Sequence, residues 1–428
     1  MRPIKSAVQN AARELPAVFL RKLLLRKAKE AEIPTPKKFS EALAAHLLAG
    51  GAGEFVWTSP RGKGEKSFNL TLTDEDIGEL EANIENAIEK FPIAITKASD
   101  RVSRLSFDNL CQKWIDEYKL QSEDFDSFRN RLNERWGVGL DHLRMLLTCC
   151  RELGYESFKR HKRSRSFRHH YRRWVLLRLH VRSCQVADEV ICLMENGFAD
   201  GALARWRTLH EIAVVATLIA EGDEALAERY ILHDDVELKR QADDHDATQV
   251  PMGFSPIGKR QRSAIELRYK AAIDRFGKAF ASPYGWAADA LELKKPTFKD
   301  LQEKAGHQAM NSYYKLASFN VHAGARSLFF NLSSIGTQEI LLAGRSNAGL
   351  FEPGVRTAQT LALITSLYVE PGSDMDRLTE LKTILRIRDA VMPALKAADE
   401  LLHRDEMSRL SRLASRRARS KRIDQRSP

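Results

Sequence analysis

The stretch Ala202–Leu218, ALARWRTLHEIAVVATL, decides the fold class. At about 100° per residue, Arg207, His210 and Glu211 fall on the same stripe as Leu203, Val214 and Leu218, within roughly a third of a helix circumference. Burying the apolar members draws the charged ones in with them, and buried charge has to find a partner. Arg207 and Glu211 stand one turn apart and can pair within the helix, although Arg before Glu is the weaker order. Further on, Asn311–Ser333 is expected to form a second such helix, with Asn311, Lys315, Ser318, His322 and Arg326 in one row between apolar flanks. Two polar rows inside apolar helices predict a mainly α protein with an internal polar network.

Working outward, the 428 residues suffice for two or three units. The formal charge of +11 is concentrated in particular segments. A localised positive field attracts phosphate backbones, acidic proteins or anionic lipid, so RNA or DNA is the expected partner, with a protein partner as the alternative. The five cysteines, Cys111, Cys149, Cys150, Cys184 and Cys192, are odd in number and lack metal-type spacing. That usage fits a reducing compartment. The first residues, MRPIKSAVQNAARELPAVFLRKLLL, contain no continuous hydrophobic segment, and the apolar run near 212–220 is far short of a bilayer span. A soluble, cytoplasmic protein is expected, with no membrane contact; the oligomeric state is left open.

Four segments are expected. Residues 1–92 read as a small mixed α/β module: a basic helix over about 6–32, a helix opened by Thr35-Pro36 and running to Gly50-Gly51, and two short strands. The strands are Phe55-Val56-Trp57 and Phe68-Asn69-Leu70-Thr71-Leu72, around the turn Pro60–Lys66. Thr73 with Asp76 three residues later reads as a capping box opening a helix to about Lys90. Residues 93–164 read as a helical connector, 165–370 as a helical bundle holding the polar rows, and 371–428 as a helix followed by an arginine-rich tail, frayed or disordered from His403.

Two basic regions invite an anion. The segment Lys159–Arg182, KRHKRSRSFRHHYRRWVLLRLHVR, mixes Arg165, Arg168, Arg172 and Arg173 with Phe167, Tyr171 and Trp174. Its cations would draw phosphates and an exposed ring could stack on a base. The aromatics also follow helical spacing, so they equally fit a bundle-facing side. Arg416 and Arg417 in the tail offer a second electrostatic anchor. By contrast, His233-Asp234-Asp235 and Asp243-Asp244-His245-Asp246 meet no zinc or calcium spacing and read as a hydrated helix end. No Walker loop, dinucleotide fingerprint, nucleophile elbow or Cys/His metal box is found, which disfavours the usual nucleotide-hydrolysing and hydride-transfer folds. No metal and no cofactor are expected.

If the two polar rows face one another, Arg207, His210, Glu211, Lys315, Ser318, His322 and Arg326 form one cluster able to hold an anion such as phosphate. A histidine beside Arg and Lys could also move protons in phosphodiester cleavage, which makes His210, His322, Arg207, Glu211 and Ser318 the catalytic candidates. The bland alternative makes Arg207–Glu211 a core-orienting pair and His322 a hydrogen-bonded interior histidine.

The segment Gly197-Phe-Ala-Asp-Gly-Ala-Leu-Ala, followed by Arg207-Thr208-Leu209-His210-Glu211, Tyr230 and His233, and then Tyr314 with Ser318 and His322, resembles the bacterial helical proteins grouped as the domain of unknown function 5677 family. The resemblance covers roughly 165–335. It implies an all-helical domain in a bacterial cytoplasmic protein with recurrent Arg, Glu, Ser and His positions, matched here by Arg207, Glu211, Ser318 and His322; it brings no activity with it. A remoter similarity is to the HEPN ribonucleases of toxin and phage-defence systems, whose motif is Arg, four to six residues, then His. Arg205–His210, Arg165–His170 and Arg163–His169 have that spacing, but Trp206 stands where a polar residue commonly follows the Arg. On a helix Arg205 and His210 would point about 140° apart. Three functions follow as expectations: a binder of an anionic partner, a metal-independent ribonuclease of defence or toxin type, and a scaffold that needs a protein partner.

Overall fold

The computed structural model describes residues 2–32, 37–51, 53–57, 69–162, 171–319, 321–322, 324–329, 332–333, 342–369 and 375–424. Among them are twelve α-helices and no strand. The chain divides into two compact units, 1–122 and 123–428.

The first unit pairs α1 (Arg2–Glu30) with α2 (Lys37–Leu48) and with the start of α3 (Asp74–Lys162). Leu20, Leu24 and Ala44 form its core, with Leu70, Leu72 and Leu80 packed against them. The expected strands are corrected here. Residues 54–57 and 69–73 belong to no strand or helix. Their side chains explain why: Phe55 and Trp57 set their rings edge-on to Phe39 of α2, at 6.1 and 5.6 Å, and Leu70 and Leu72 cover the α1–α2 pair. Both segments thus use their apolar residues on helices rather than on each other. Phe68, the Pro60–Lys66 turn and the Thr35-Pro36 cap lie outside the described residues.

The Thr73–Asp76 capping box forms. The Thr73 amide donates to Asp76 Oδ2 at 2.9 Å and the Asp76 amide to Thr73 Oγ1 at 3.3 Å. Lys27 of α1 adds an ion pair to Asp76 at 2.7 Å. The Lys27 bond and the Thr73 donors hold the Asp76 carboxyl down at about 2. The helix it opens does not stop near Lys90 but runs to Lys162.

In the second unit, α4 (Tyr171–Glu195), α5 (Ala199–Glu221) and α11 (Phe351–Val369) pack mutually, and α12 (Met375–Asp424) packs on α11. Leu132, Trp136, Leu140 and Leu143 of α3 are buried with the core of this bundle, spaced to occupy one helix face. Gly197 ends α4 at φ +76°, and the Phe198 amide bonds back to the Leu193 carbonyl at 2.9 Å. Two residues later α5 begins. Its Trp206 donates Nε1–H to Thr360 of α11 at 3.0 Å, which fixes the rotation of α5 and so the direction of Arg207 and Glu211. α12 stays helical through Asp424, where a frayed tail was expected, because Arg, Ala, Met and Leu are good helix formers and no glycine interrupts them.

Around this bundle lie α6 (Glu224–Leu232), α7 (Asp234–Met252), α8 (Lys259–Phe276), α9 (Phe298–Lys304) and α10 (Asn311–Phe319). The acidic stretch 234–246 joins α7 to α8: Asp235 pairs with Arg268, Asp243 with Arg262, and Asp246 with Arg262 at 3.2 Å. The expected helix Asn311–Ser333 is corrected to the short α10. Ser318 turns its hydroxyl back onto the Tyr314 carbonyl, the amides of Val321 and His322 both reach Ser318 O, and Gly324 opens a 3-10 turn at Ala325–Leu328. Ser318 and Gly324 are turn residues that outweigh the apolar period. Among the described residues no helix is long and apolar enough to cross a membrane.

Candidate functional site

Beside α5 lies a cleft of about 670 Å³. Its floor comes from Thr208, Glu211, Ile212 and Val215 of α5, and one wall from Trp174 and Leu179 of α4. The opposite wall carries Tyr230 and Ile231 of α6, then His233, Asp234 and Glu237. Pro283, Tyr284, Trp286 and Phe298 close the third side.

Local chemistry places each wall. Asp223 caps α6 through the Leu226 amide at 2.8 Å. Thr297 and Asp300 form the capping box of α9, which sets Phe298 at its first turn. Gly285 turns between Tyr284 and Trp286 so close to the Phe280 carbonyl that a Cβ there would overlap it. Arg229, buried, then holds the turn: Nε donates to the Trp286 carbonyl at 3.1 Å, Nη1 pairs with Asp289 at 2.6 Å, and the guanidinium lies over Phe276 at 4.8 Å. His233 donates Nε2–H to the Ser282 carbonyl at 2.9 Å and sets its ring edge-on to Phe280. Burial lowers its pKa, so it enters the cleft wall neutral.

At the floor a triad is formed. Arg207 Nη2 donates to the Tyr314 hydroxyl at 2.8 Å, and that hydroxyl donates to Glu211 Oε1 at 2.8 Å. Arg207 Nε reaches the same Oε1 at 3.2 Å, while the guanidinium stacks over the Tyr314 ring at 4.6 Å. Burial, and then the bond to Glu211, push the Tyr314 phenol up to about 12. Glu211 Oε2 has no hydrogen-bond partner among the described residues. Phe298 stacks on Tyr314 at 4.9 Å and ties the triad to the wall.

Behind the triad His210 is enclosed, 1% exposed. Its ring stacks on Trp206 at 5.3 Å and contacts Tyr314 and His307 at 5.8 and 5.7 Å. Burial, with His307 beside it, lowers its pKa to about 4, and its Nε2 has no hydrogen-bond partner among the described residues. His307 bonds through Nε2 to Thr217 at 3.1 Å.

The α5 row thus meets α10 at Tyr314, which is not a member of the expected second row. Lys315, His322 and Arg326 are exposed, and no described hydrogen bond or ion pair joins Lys315 or His322 to Arg207 or Glu211. Arg205 turns away from His210 to pair with Glu189 of α4 and to reach Thr208 at 3.3 Å. Arg172 Nη1 approaches the carbonyls of Ala220 and Gly222 at 3.5 Å, capping the end of α5, and Arg173 acts electrostatically on the Tyr368 hydroxyl. Trp174 is half-exposed under Arg178, whose guanidinium lies 3.9 Å from the ring centre. Arg165, Arg168 and the two other Arg–His spacings fall within 163–170, outside the described residues, as do the side chains of Arg416 and Arg417. Sequence reasoning passed over Arg229, Tyr284, Trp286, Phe298 and His307. The signal present in the sequence is the aromatic run of Phe280, Tyr284 and Trp286 around Pro283–Gly285.

Taken together, these features define an all-helical domain with an aromatic cleft whose charged lining groups are the carboxylates of Glu211, Asp234 and Glu237. Residues 173–339, which contain every lining residue of that cleft, match the family described as "Family of unknown function (DUF5677)". No curated protein matches the chain. No solved structure matches it either.

Proposed function

We propose that the second unit is a binding domain for a small organic cation, an amine or guanidinium group, seated in the cleft. The observation that carries this is the make-up of the lining: in a chain of net charge +11, the cleft presents three carboxylates and five aromatic side chains, while the arginines paired with those carboxylates, Arg207, Arg240 and Arg268, are not among its lining residues. Aromatic faces attract cations through their quadrupole, and a carboxylate among them supplies the counter-charge. Glu211 is the anchor, since Arg207 and Tyr314 both bond Oε1 and leave Oε2 as an acceptor. Titration calorimetry of the full chain with choline, agmatine and spermidine, and with inorganic phosphate as the contrary probe, tests it. At least one cation binds and Glu211→Gln weakens it roughly tenfold, the scale of one charged hydrogen bond. Phosphate binding that depends on Glu211 or Arg207, with no cation bound, overturns it.

A second reading assigns the protein an anionic partner such as RNA or DNA, outside the cleft. What supports it is the continuity of α12 through Asp424, which sets Arg404, Arg409, Arg412, Arg416, Arg417, Arg419, Lys421 and Arg422 along one helix. Such binding weakens steeply with salt and is lost on truncation after Leu402. A ribonuclease of HEPN type draws less support: His210 is sealed behind rings and held neutral, and Arg205 is committed to Glu189.

A further inference from the structure

The first unit carries a surface that none of the above uses. From Ile77 to Arg131 no residue of α3 is buried, although the helix is rich in large apolar side chains there. Ile88 is 58% exposed, Val102 54% and Leu105 61%. Their spacing is regular. Ile84, Ile88, Phe91, Ile95, Ala98, Val102 and Leu105 alternate steps of four and three, an apolar period of 3.5 residues sustained over three heptads. A straight helix has 3.6 residues per turn, and a strict 3.5 repeat keeps one seam facing a second helix wound round it with left-handed supercoil.

We propose that this seam, residues 84–113, joins two copies of the chain in a parallel, in-register, two-stranded coiled coil. The choice of residue at each position argues for a second copy. In heptad terms the d positions are Ile84, Phe91, Ala98, Leu105 and Gln112, and the a positions are Ile88, Ile95, Val102 and Asn109. β-Branched residues at a favour two parallel strands, and a lone Asn at an a position fixes register and strand number by bonding its own counterpart. Flanking charge agrees. The e and g positions are small or uncharged apart from Glu85, Arg101, Asp108 and Lys113, and Glu85 faces g-position Leu80 of the other copy, so no like charges meet. In register, g-position Asp108 of one copy faces e-position Lys113 of the other, five residues on.

Much of the seam is open to a partner: Ile88, Val102 and Leu105 are more than half exposed and Ala98 is exposed, while Ile84, Phe91 and Ile95 are half-buried along the same line. An antiparallel pair would set Asn109 against an apolar side chain and forfeit its hydrogen bond, which disfavours that arrangement.

Sedimentation velocity on the full chain at tens of micromolar tests the proposal. The expected species has twice the 48.5 kDa chain mass, and Val102→Asp with Leu105→Asp converts it to the single chain while near-ultraviolet dichroism of the bundle is unchanged. In a Cys111→Ser, Cys192→Ser background, mild oxidation links Val102→Cys to itself and leaves Ser103→Cys, which faces outward, unlinked. A single-chain mass for the unaltered protein overturns the proposal. So does a trimer, persistence of the dimer in the double aspartate variant, or equal cross-linking at 102 and 103.

Discussion

The Tyr314 hydroxyl donates to Glu211 Oε1 at 2.8 Å while accepting from Arg207 at the same distance. One hydroxyl thus joins a carboxylate and a guanidinium that already touch, and it does so from a different helix. The arrangement couples the position of α10 to the charge balance of the cleft floor. Tyr314→Phe is expected to cost about 1 kcal/mol of stability, the net worth of a bond between partly exposed groups. A double-mutant cycle of Tyr314→Phe with Glu211→Gln should return a coupling of about 1 kcal/mol. Urea titrations of the four proteins measure it, and additivity within 0.3 kcal/mol would show the contact to be incidental.

His210 and His180 are each held at about 4 by burial, well under the ordinary 6.5. A histidine that stays neutral in the fold takes up its proton on unfolding between about pH 6.5 and 4, so acid favours the unfolded chain over that interval. Stability should be level between about pH 7 and 8 and fall below 6.5, with a limiting slope of about 1.4 kcal/mol per pH unit for each such group. Denaturant titrations at pH 7.5, 6 and 5 give the slope. His210→Leu should remove about one proton's worth of it, and an unchanged slope would mean that His210 is not buried neutral.

What the sequence made legible follows from how local the physics is. The α5 stripe was readable because burial of Leu203 and Val214 forces Arg207 and Glu211 to the same side. Thr73 and Asp76 were readable because a capping box depends on four consecutive residues. The partner of the α5 row was misjudged by one residue: the row was read through Lys315, Ser318 and His322, yet α10 stops at Phe319 and presents Tyr314. The third wall of the cleft was invisible, since Tyr284 and Trp286 acquire their places from Arg229, more than fifty residues earlier. Phe55 and Trp57 carry strand propensity but no partner strand, and helix α2 took their rings. Propensity yields to whichever apolar surface is nearest.

The Arg229–Trp286 contact makes the cleft wall testable by itself. Arg229→Lys keeps the charge and the contact over Phe276 but loses the planar fork that reaches both the Trp286 carbonyl and Asp289. Because Asp289 is largely exposed, the loss should be about 2–3 kcal/mol, at or below the bottom of the ~3–5 kcal/mol range for breaking a fully buried charged pair. Gly285→Ala should act in the same direction, since its Cβ meets backbone that cannot swing aside. Both variants should lower the thermal midpoint and abolish cation binding while the far-ultraviolet spectrum stays helical. Retained binding in either would place the ligand elsewhere.

Asp76 supplies an acid-sensitive joint in the first unit. Its carboxyl is held at about 2, against an ordinary value of 3.8, by Lys27 and by the Thr73 donors. A depressed carboxylate stabilises the fold fully above its ordinary value, and that contribution disappears as pH falls from about 4 towards 2. The joint also secures the first turn of α3, because protonated Asp76 can no longer pair with Lys27 at 2.7 Å or accept the Thr73 amide as a charged acceptor. Asp76→Asn removes the charge without changing the shape. Hydrogen exchange at the amides of residues 74–79, compared at pH 7 and corrected for intrinsic rates, should be several-fold faster in the variant. An acid titration between pH 4 and 2 should then show the loss of helix in the unaltered protein shifted to higher pH in Asp76→Asn. Identical exchange in the two proteins would mean that the Lys27–Asp76 pair contributes nothing to holding α1 against α3.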